Sequence, residues 1–390
     1  MSKENQDKLL LLMDEAMNEG VQSMAATINK AKDDAYMEGY KAALKDLPIA
    51  PTTDEEGDGI PVHNITNPIV RDYFEHLPEG GYAQNDVSRM WYYTKYVSES
   101  SKKNMADRGN PYIVYCDGGD SLLLYCEGEK PQTILPYHNI YECYILMPNK
   151  TYNWKVMNGD KIVKEGRFKT IGDVRLINLP TWPNMRDIGG HGLKHGLVYS
   201  GANPDNVVVG SDDYNVIKYL GIDTQLNFRT PKASSASENP WRSDIFSYGY
   251  NIDIADYSSL LTKTAGFKKA FETFVAELKK GRKVAFNCFA GADRTGTFRY
   301  VVQGICCVPR KIAQGFYELT SIMYWLNTKM WDKDGEDDFR KFDADLEKRF
   351  GKDFYTQCYR LLTEVVKVSP TTIRELQEIL MENPSLVPQI

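Results

Sequence analysis

A cysteine and an arginine enclose a short loop in the stretch VAFNCFAGADRTGTF, residues 284–298. An apolar run ends at Asn287, Cys288 follows it, and Arg294 comes six positions later beside a Thr-Gly pair. A loop that leads into a helix directs backbone N–H groups toward one point and so forms an anion site. Arg294 adds a planar guanidinium that matches two phosphate oxygens. A thiolate beneath a bound phosphate is an in-line nucleophile.

The loop therefore predicts a phosphate site with a cysteine nucleophile. We expect the anion to be bound by the residues between the strand and the helix, which are Phe289, Ala290, Gly291, Ala292, Asp293 and Arg294. Thr295 is expected to donate a hydrogen bond to the Cys288 sulfur, which would help the sulfur to leave when water cleaves a phosphocysteine. The alternative is that Cys288 is a buried structural thiol, although such a thiol needs neither the arginine nor the glycine loop.

This site requires a strand before Cys288 and a helix after Arg294, and the surrounding pattern supplies both. From about residue 173 the sequence alternates between strand and helix patterns, with GLVYSG, IDTQLNF and KVAFN as strands and SDDYNVIKYLG and GFKKAFETFVAELKKG as helices. Three further helix patterns follow, namely DDFRKFDADLEKRF, DFYTQCYRLLTEVVK and SPTTIRELQEIL. Alternating strands and helices predict an α/β domain over residues 173–390, with a central, mostly parallel sheet flanked by helices.

The preceding segments have different patterns. Residues 1–50 predict a helical arm, because they are rich in Ala, Leu, Met, Lys and Glu, and residues 51–62 read as a linker rich in Pro, Gly and acids. Residues 63–172 predict a β-sandwich module whose last strands loosely resemble a fibronectin type III-like module.

Three local features are expected within this module. The stretch NPIVRDYFEHL predicts a short helix with Asn67 as its N-cap. The sequence Asp-Gly-Gly-Asp at 117–120 predicts a hairpin between its flanking strands, and Asn158-Gly159 predicts a second tight turn.

Composition excludes several classes of function. The net charge of −6 and the pI of about 5.6 argue against a general binder of nucleic acid or of an anionic membrane. Seven widely spaced cysteines suggest reduced thiols, and neither they nor the five histidines form a metal motif, so no metal or cofactor is expected. The run LLLLM at 9–13 is too short for a membrane span, and no signal peptide is evident, so the expected location is the cytoplasm.

The loop CFAGADRTG resembles the phosphate-binding loop of cysteine-dependent protein tyrosine phosphatases. The resemblance is to bacterial tyrosine and dual-specificity or lipid phosphatases whose loop reads His-Cys-x-x-Gly-x-Asp-Arg-Thr-Gly. NMRDIGG at 184–190, YLGIDTQLNFR at 219–229 and YELTS at 317–321 are similar to further segments of that family. The resemblance implies a tyrosine-phosphatase-like fold and a phosphomonoester hydrolase that acts through a phosphocysteine. Phosphotyrosine, a phosphoinositide or an inositol phosphate would be the substrate.

Three positions depart from the family pattern. Asn287 stands where the family has a histidine, Asn227 where it has an aspartate that is a candidate general acid, and Ser200 where it tends to have an arginine. An amide cannot protonate a leaving group, and general acid catalysis is typically worth about 10²–10⁴-fold. These departures predict weakened or altered catalysis.

Other residues could supply the acid or support the loop. Asp293 is the first candidate for the acid, and Asp253 and Asp256 are alternatives. The supporting residues are expected to be Asn184, Arg186, Asp187, Asn227 and Asn287, with Arg186 and Asp187 forming an ion pair that braces the loop.

A second hypothesis is that the fold has lost turnover and serves as a binding or structural module. In that case residues 1–47 would form an oligomerising or docking arm, and the chain would belong to a larger assembly such as a phage virion.

Overall fold

The computed structural model describes residues 59–77, 109–229, 241–325 and 338–388. The chain divides into two compact units, Met1–Val62 and His63–Ile390. The expected helical arm and almost all of the expected linker lie outside the described residues.

The N-terminal part of the second unit consists of antiparallel strands and one helix. Its strands are β1 (Val62–Asn64), β2 (Tyr112–Tyr115), β3 (Ser121–Tyr125), β4 (Gln132–Ile134), β5 (Ile140–Cys143), β6 (Thr151–Asn158) and β7 (Lys161–Ile171). The larger sheet has the strand order β1-β7-β6-β3-β4. Most of β1 belongs to this unit. Strands β2 and β5 pair in a second sheet. Helix α1 (Pro68–Glu75) begins as predicted, since Asn67 Oδ1 accepts a hydrogen bond from the Ile69 amide over 2.9 Å.

One predicted hairpin is formed and the other is wrong. Strands β6 and β7 pair across the Asn158-Gly159 turn. In contrast, β2 and β3 flank Asp-Gly-Gly-Asp but do not pair with each other, because β2 pairs with β5 and β3 pairs with β4 and β6. The two strands belong to different sheets, and buried residues from both sheets, including Val114, Tyr141 and Leu124, share one apolar core. The segment 117–120 therefore crosses between layers.

The C-terminal part contains the predicted, mostly parallel sheet. Its strands are β8 (Arg186–Asp187), β9 (Val198–Gly201), β10 (Ile222–Asn227), β11 (Tyr248–Asn251) and β12 (Lys283–Asn287). Their order is β11-β10-β12-β9-β8, and all neighbours are parallel except β8 and β9. Strand β12 is central, and its last residue, Asn287, lies beside Asn227 of β10. The carboxyl ends of the central strands therefore meet where the loop begins.

Helices flank this sheet. They are α2 (Asp212–Leu220), α3 (Ala265–Lys279), α4 (Asp293–Ile305), α5 (Arg310–Thr320), α6 (Asp338–Phe350), α7 (Phe354–Arg360) and α8 (Pro370–Leu380). The apolar face of α3 is buried, and its Phe274 packs with Phe286 of β12 and Phe298 of α4. This aromatic packing fixes α4 against the sheet, so that its N-terminus follows directly from the loop. Among the described residues, no helix is long and apolar enough to cross a membrane.

Candidate functional site

The loop from Cys288 to Ala292 joins the end of β12 to the start of α4. Its Gly291 has a φ of 71°, which lies in the left-handed region. A Cβ atom at this position would lie 2.3 Å from the carbonyl carbon of Gly201 and 2.6 Å from the amide nitrogen of Ala202. Only glycine satisfies both the dihedral angle and this close approach to the end of β9.

The carbonyl groups of the loop are held by neighbouring segments. Asn184 Nδ2 donates to the Ala290 carbonyl over 2.9 Å, and the Asn203 amide donates to the Phe289 carbonyl over 3.0 Å. Within the described part of the chain, the amide N–H groups of residues 289–292 donate to no protein acceptor. These donors lie at a helix N-terminus, where an anion is favoured.

Cys288 and Arg294 line the same cavity of about 220 Å³. Its other lining residues are Arg229, Asp256, Phe289, Ala290 and Asp293. The Cys288 side chain is nearly buried, whereas Phe289 is 66% exposed at the rim. The structure thus places the sequence-predicted nucleophile, the phosphate-binding arginine and one candidate acid around a single space.

Arg294 is anchored at the edge of this cavity. Its Nη1 donates to the Phe228 carbonyl over 2.9 Å and lies 3.4 Å from Asp253 Oδ1. Arg294 also lines an adjoining cavity of about 440 Å³, to which Asp253 and Asp256 contribute. Of the two alternative acids, Asp256 therefore faces the cysteine cavity and the adjoining one, while Asp253 lines only the adjoining cavity.

Asp293 is held by two tyrosines that the sequence did not reveal as site residues. The Tyr257 hydroxyl donates to Asp293 Oδ1, and the Tyr317 hydroxyl lies 3.5 Å from the same oxygen. Burial, followed by the charge of Asp293, raises the pKa of Tyr257, so this phenol remains a donor. Tyr257 also has a φ of 45°, an unfavourable conformation for a bulky residue. Tyr317 lies in the YELTS segment, whose similarity to the family was the only sequence feature that pointed to this tyrosine.

The two asparagines that depart from the family pattern form a buried amide cluster. Gln225 Nε2 donates to Asn287 Oδ1 over 2.7 Å, and Asn287 Nδ2 donates to the Cys288 carbonyl over 3.1 Å. Asn227 Oδ1 accepts from Arg229 Nε over 3.0 Å. Asn227 is fully buried and does not line the cysteine cavity. Asn227 therefore supports neighbouring side chains and does not face the cavity.

Arg229 lines the cysteine cavity although the sequence analysis did not select it. Its guanidinium contacts both carboxylate oxygens of Asp205, at 2.5 and 2.9 Å. The motif LNFR contains this arginine, so the resemblance carried a signal that was not used.

The expected ion pair between Arg186 and Asp187 is not formed. These adjacent residues of β8 make separate contacts, because neighbouring side chains of a strand point to opposite faces. Arg186 donates to Asn184 Oδ1 and to the Phe316 carbonyl, and through Asn184 it supports the loop. Asp187 instead lies 3.4 Å from Arg175 Nη1 and 3.4 Å from His195 Nδ1, and it accepts from the Gly196 amide.

The expected hydrogen bond from Thr295 to the cysteine sulfur is also absent. Thr295 is fully buried, and among the described residues its hydroxyl has no hydrogen-bond partner. Thr295 lies in the first turn of α4, on a face that is buried in the packed interior of the domain.

Arg299 contacts the serine at position 200. Its Nη1 donates to Ser200 Oγ over 3.0 Å, and its Nη2 donates to the Phe316 carbonyl over 3.0 Å. Burial lowers the pKa of Arg299 to about 10, a value at which the side chain is still charged at neutral pH. No pattern in the sequence pointed to this residue.

The sheet order, the loop after its central strand and the flanking helices define a phosphatase-like α/β fold. A family model described as the tyrosine phosphatase family matches residues 177–384, which is more than half of the chain. The chain belongs to the tyrosine phosphatase family.

Two solved structures are similar to part of the chain. The first, P. aeruginosa TpbA, has 13% sequence identity and a TM-score of 0.28 over 47% of this chain and 99% of that chain. The second is human tyrosine phosphatase-like serine/threonine/tyrosine-interacting protein, with 14% identity and a TM-score of 0.25 over 38% of this chain and 91% of that chain. A comparison with curated proteins found no match.

Proposed function

We propose that the protein hydrolyses phosphomonoesters through a phosphocysteine formed on Cys288. The observation that carries this proposal is that Cys288 and Arg294 share one cavity at the N-terminus of α4. The substrate would be phosphotyrosine, a phosphoinositide or an inositol phosphate. The loop amides and Arg294 would bind the non-bridging phosphate oxygens, whose negative charge matches both.

The reaction proceeds in two steps. The Cys288 thiolate attacks phosphorus, the bond from phosphorus to the leaving oxygen breaks, and a carboxylic acid gives that oxygen a proton. Water then attacks the phosphocysteine, the sulfur–phosphorus bond breaks, and the carboxylate accepts a proton from the water. Free phosphate and the thiolate are the products on the enzyme.

Asp293 is the proposed acid, and Asp256 is the second candidate. Both line the cysteine cavity, whereas Asn227 is buried outside it. Two tyrosines hold the Asp293 carboxyl in one orientation, which favours it as a positioned group. An Asp293→Asn variant should slow phenyl phosphate much more than p-nitrophenyl phosphate, because nitrophenolate leaves without a proton. If Asp256→Asn shows this difference and Asp293→Asn does not, Asp256 is the acid.

Release of nitrophenol from p-nitrophenyl phosphate tests the activity itself. The Cys288→Ser variant should lose it, while Cys307→Ser, which changes a half-buried thiol at the far end of α4, should retain it. If the parent protein releases no more nitrophenol than Cys288→Ser, the proposed activity is refuted.

The alternative is a phosphatase fold that binds without turnover, and the buried amide cluster favours it. Asn287 and Asn227 occupy positions where the family has a histidine and an aspartate, and both are engaged in structural hydrogen bonds. Under this alternative, residues 1–47 would mediate assembly, for instance into a virion. Light scattering on the full chain and on residues 51–390 tests the arm. This alternative predicts an oligomeric full chain and a monomeric 51–390 fragment, and two monomers would contradict it.

A further inference from the structure

A second cavity, of about 420 Å³, lies between the N-terminal strands and the phosphatase-like domain. Glu129, Lys130 and Lys150 line it from the N-terminal strands. Tyr199 and Lys283 line it from the parallel sheet. Cavities of this size between two parts of a protein are common sites for small ligands. Nothing in the proposed reaction uses this space.

The cavity is strongly basic in a chain whose net charge is −6. Its charged lining residues are Lys130, Lys150, Arg175, Lys283 and a single carboxylate, Glu129. Glu129 Oε2 already accepts hydrogen bonds from the hydroxyls of Tyr152 and Tyr219, over 2.7 and 3.0 Å. Asp187 lies outside the lining, 3.4 Å from Arg175 Nη1, and offsets the charge of that arginine. The three lysines still exceed the one lining acid, Glu129, which is oriented by phenols.

Two of the lining side chains have donors that the protein leaves unused. Arg175 is held in place by the Ile145 carbonyl and by Asp187, at 2.6 and 3.4 Å from its guanidinium nitrogens. Its buried Nε has no hydrogen-bond partner within the described residues. The buried Tyr199 hydroxyl interacts with the Arg175 guanidinium, and within the described residues it has no acceptor for its own proton. Buried polar groups normally find a partner, so an acceptor inside the cavity would complete both.

Lys283 is half-buried beside these cations. Burial, followed by the charge of Arg175, lowers the pKa of Lys283, while the carboxylates of Glu129 and Asp187 oppose this shift. Its ammonium donates to the Leu220 carbonyl over 2.8 Å, which fixes it at the cavity wall. An anion placed here would relieve the repulsion among these cations.

We propose that this cavity binds a small molecule that carries two or more phosphate groups. Lys130 and Lys150 on one side and Arg175 and Lys283 on the other provide separate cations for separate phosphates. The site is distinct from the cysteine cavity, because Lys283 begins β12 and Cys288 follows its end. The proposal does not depend on catalysis by Cys288.

Calorimetric titration with tripolyphosphate at low salt tests the site. The full chain with Cys288→Ser prevents turnover while leaving the loop in place. We expect two binding events, one in this cavity and one in the cysteine cavity. The double variant Lys130→Gln with Lys150→Gln should weaken the first event at least about tenfold, because each phosphate contact to a cation is a charge-assisted hydrogen bond. The matched control, Lys161→Gln with Lys269→Gln, removes the same charge at exposed positions outside this cavity and should leave both events unchanged.

Two outcomes would overturn the proposal. One is that tripolyphosphate binds the lysine double variant as tightly as the parent at every site. The other is that the parent shows no binding, or a single event that Arg294→Ala abolishes. Urea unfolding of the lysine variants and of the parent provides a folding check that does not rely on catalysis by Cys288.

Discussion

Arg299 of α4 donates a hydrogen bond to Ser200 of β9 over 3.0 Å. The resemblance to the family led us to expect an arginine at position 200, and here a guanidinium beside that position comes from α4. Arg299 is buried, and its second contact is the Phe316 carbonyl, which Arg186 also uses. Two buried guanidinium groups therefore lie together behind the loop. Burial lowers the pKa of both, and the charge of Arg299 lowers the pKa of Arg186 further.

Ser200→Ala should destabilise the protein because it removes one acceptor from a buried cation. We expect a loss of about 1–3 kcal/mol in the free energy of unfolding, as measured by urea denaturation. Ser200→Arg should be more harmful, since it adds a further buried charge beside Arg299 and Arg186. Ser259→Ala, at an exposed position, serves as the control. A Ser200→Arg protein as stable as the parent would contradict this account.

Gly291→Ala should abolish activity by displacing the loop. The new methyl group would lie 2.3 Å from the backbone of Gly201, so the loop must shift, and displacements of about 1 Å can cost about 10²-fold in rate. Gly210→Ala separates this effect from backbone strain, because Gly210 also has a positive φ, of 86°, but its Cβ would meet no atom within 4 Å. That control should lose stability and keep kcat/KM. Equal kcat/KM in both variants would rule out a role for close packing at Gly291.

Restoring the family aspartate with Asn227→Asp should not raise the rate on phenyl phosphate. The new carboxylate would be buried beside Arg229, which already donates to Asn227 Oδ1, and it would not line the cysteine cavity. Steady-state kinetics of Asn227→Asp and of the parent provide the measurement. A gain of about 10²-fold, as a working general acid would supply, would show that position 227 reaches the substrate.

Asp187→Asn should reduce stability at neutral pH but much less in acid. Burial alone would raise the pKa of Asp187, but His195, Arg175 and the Gly189 amide outweigh it and lower the pKa below 3.8. The carboxylate therefore stabilises the fold above pH 3.8, and this contribution is lost as the pH falls through the lower, folded-state value.

Urea unfolding at several pH values checks this expectation. The parent should exceed Asp187→Asn by about 3 kcal/mol at pH 7, a typical cost of breaking a buried ion pair, and the difference should shrink below pH 3.8. Asp160→Asn, at an exposed turn, should show no such trend. A constant difference between the parent and Asp187→Asn across this range would contradict the assignment.

Much of the phosphatase-like domain was predictable because its signals are local. Helix α3 follows from apolar residues at helical spacing, and α2 ends at Gly221 in the left-handed conformation. The N-cap of α8, where Ser369 Oγ accepts from the Thr372 amide over 3.0 Å, was likewise readable. Each of these features depends on residues within one or two turns of each other.

The errors came from contacts between distant segments. The strands around Asp-Gly-Gly-Asp pair with other strands, and no local signal separates a hairpin from a crossover between sheets. Arg186 and Asp187 are neighbours in sequence, yet the alternation of a strand sends them to different partners. Arg299 reaches Ser200 only because α4 packs on β9, which tertiary structure alone determines.

Mass spectrometry of protein quenched in acid during turnover of p-nitrophenyl phosphate tests the central claim most directly. The account predicts that the peptide containing Cys288 carries one additional phosphoryl group, and that the Cys288→Ser protein does not form a phosphocysteine. Turnover without any phosphoryl group on that peptide, or with the group on another residue, would contradict it.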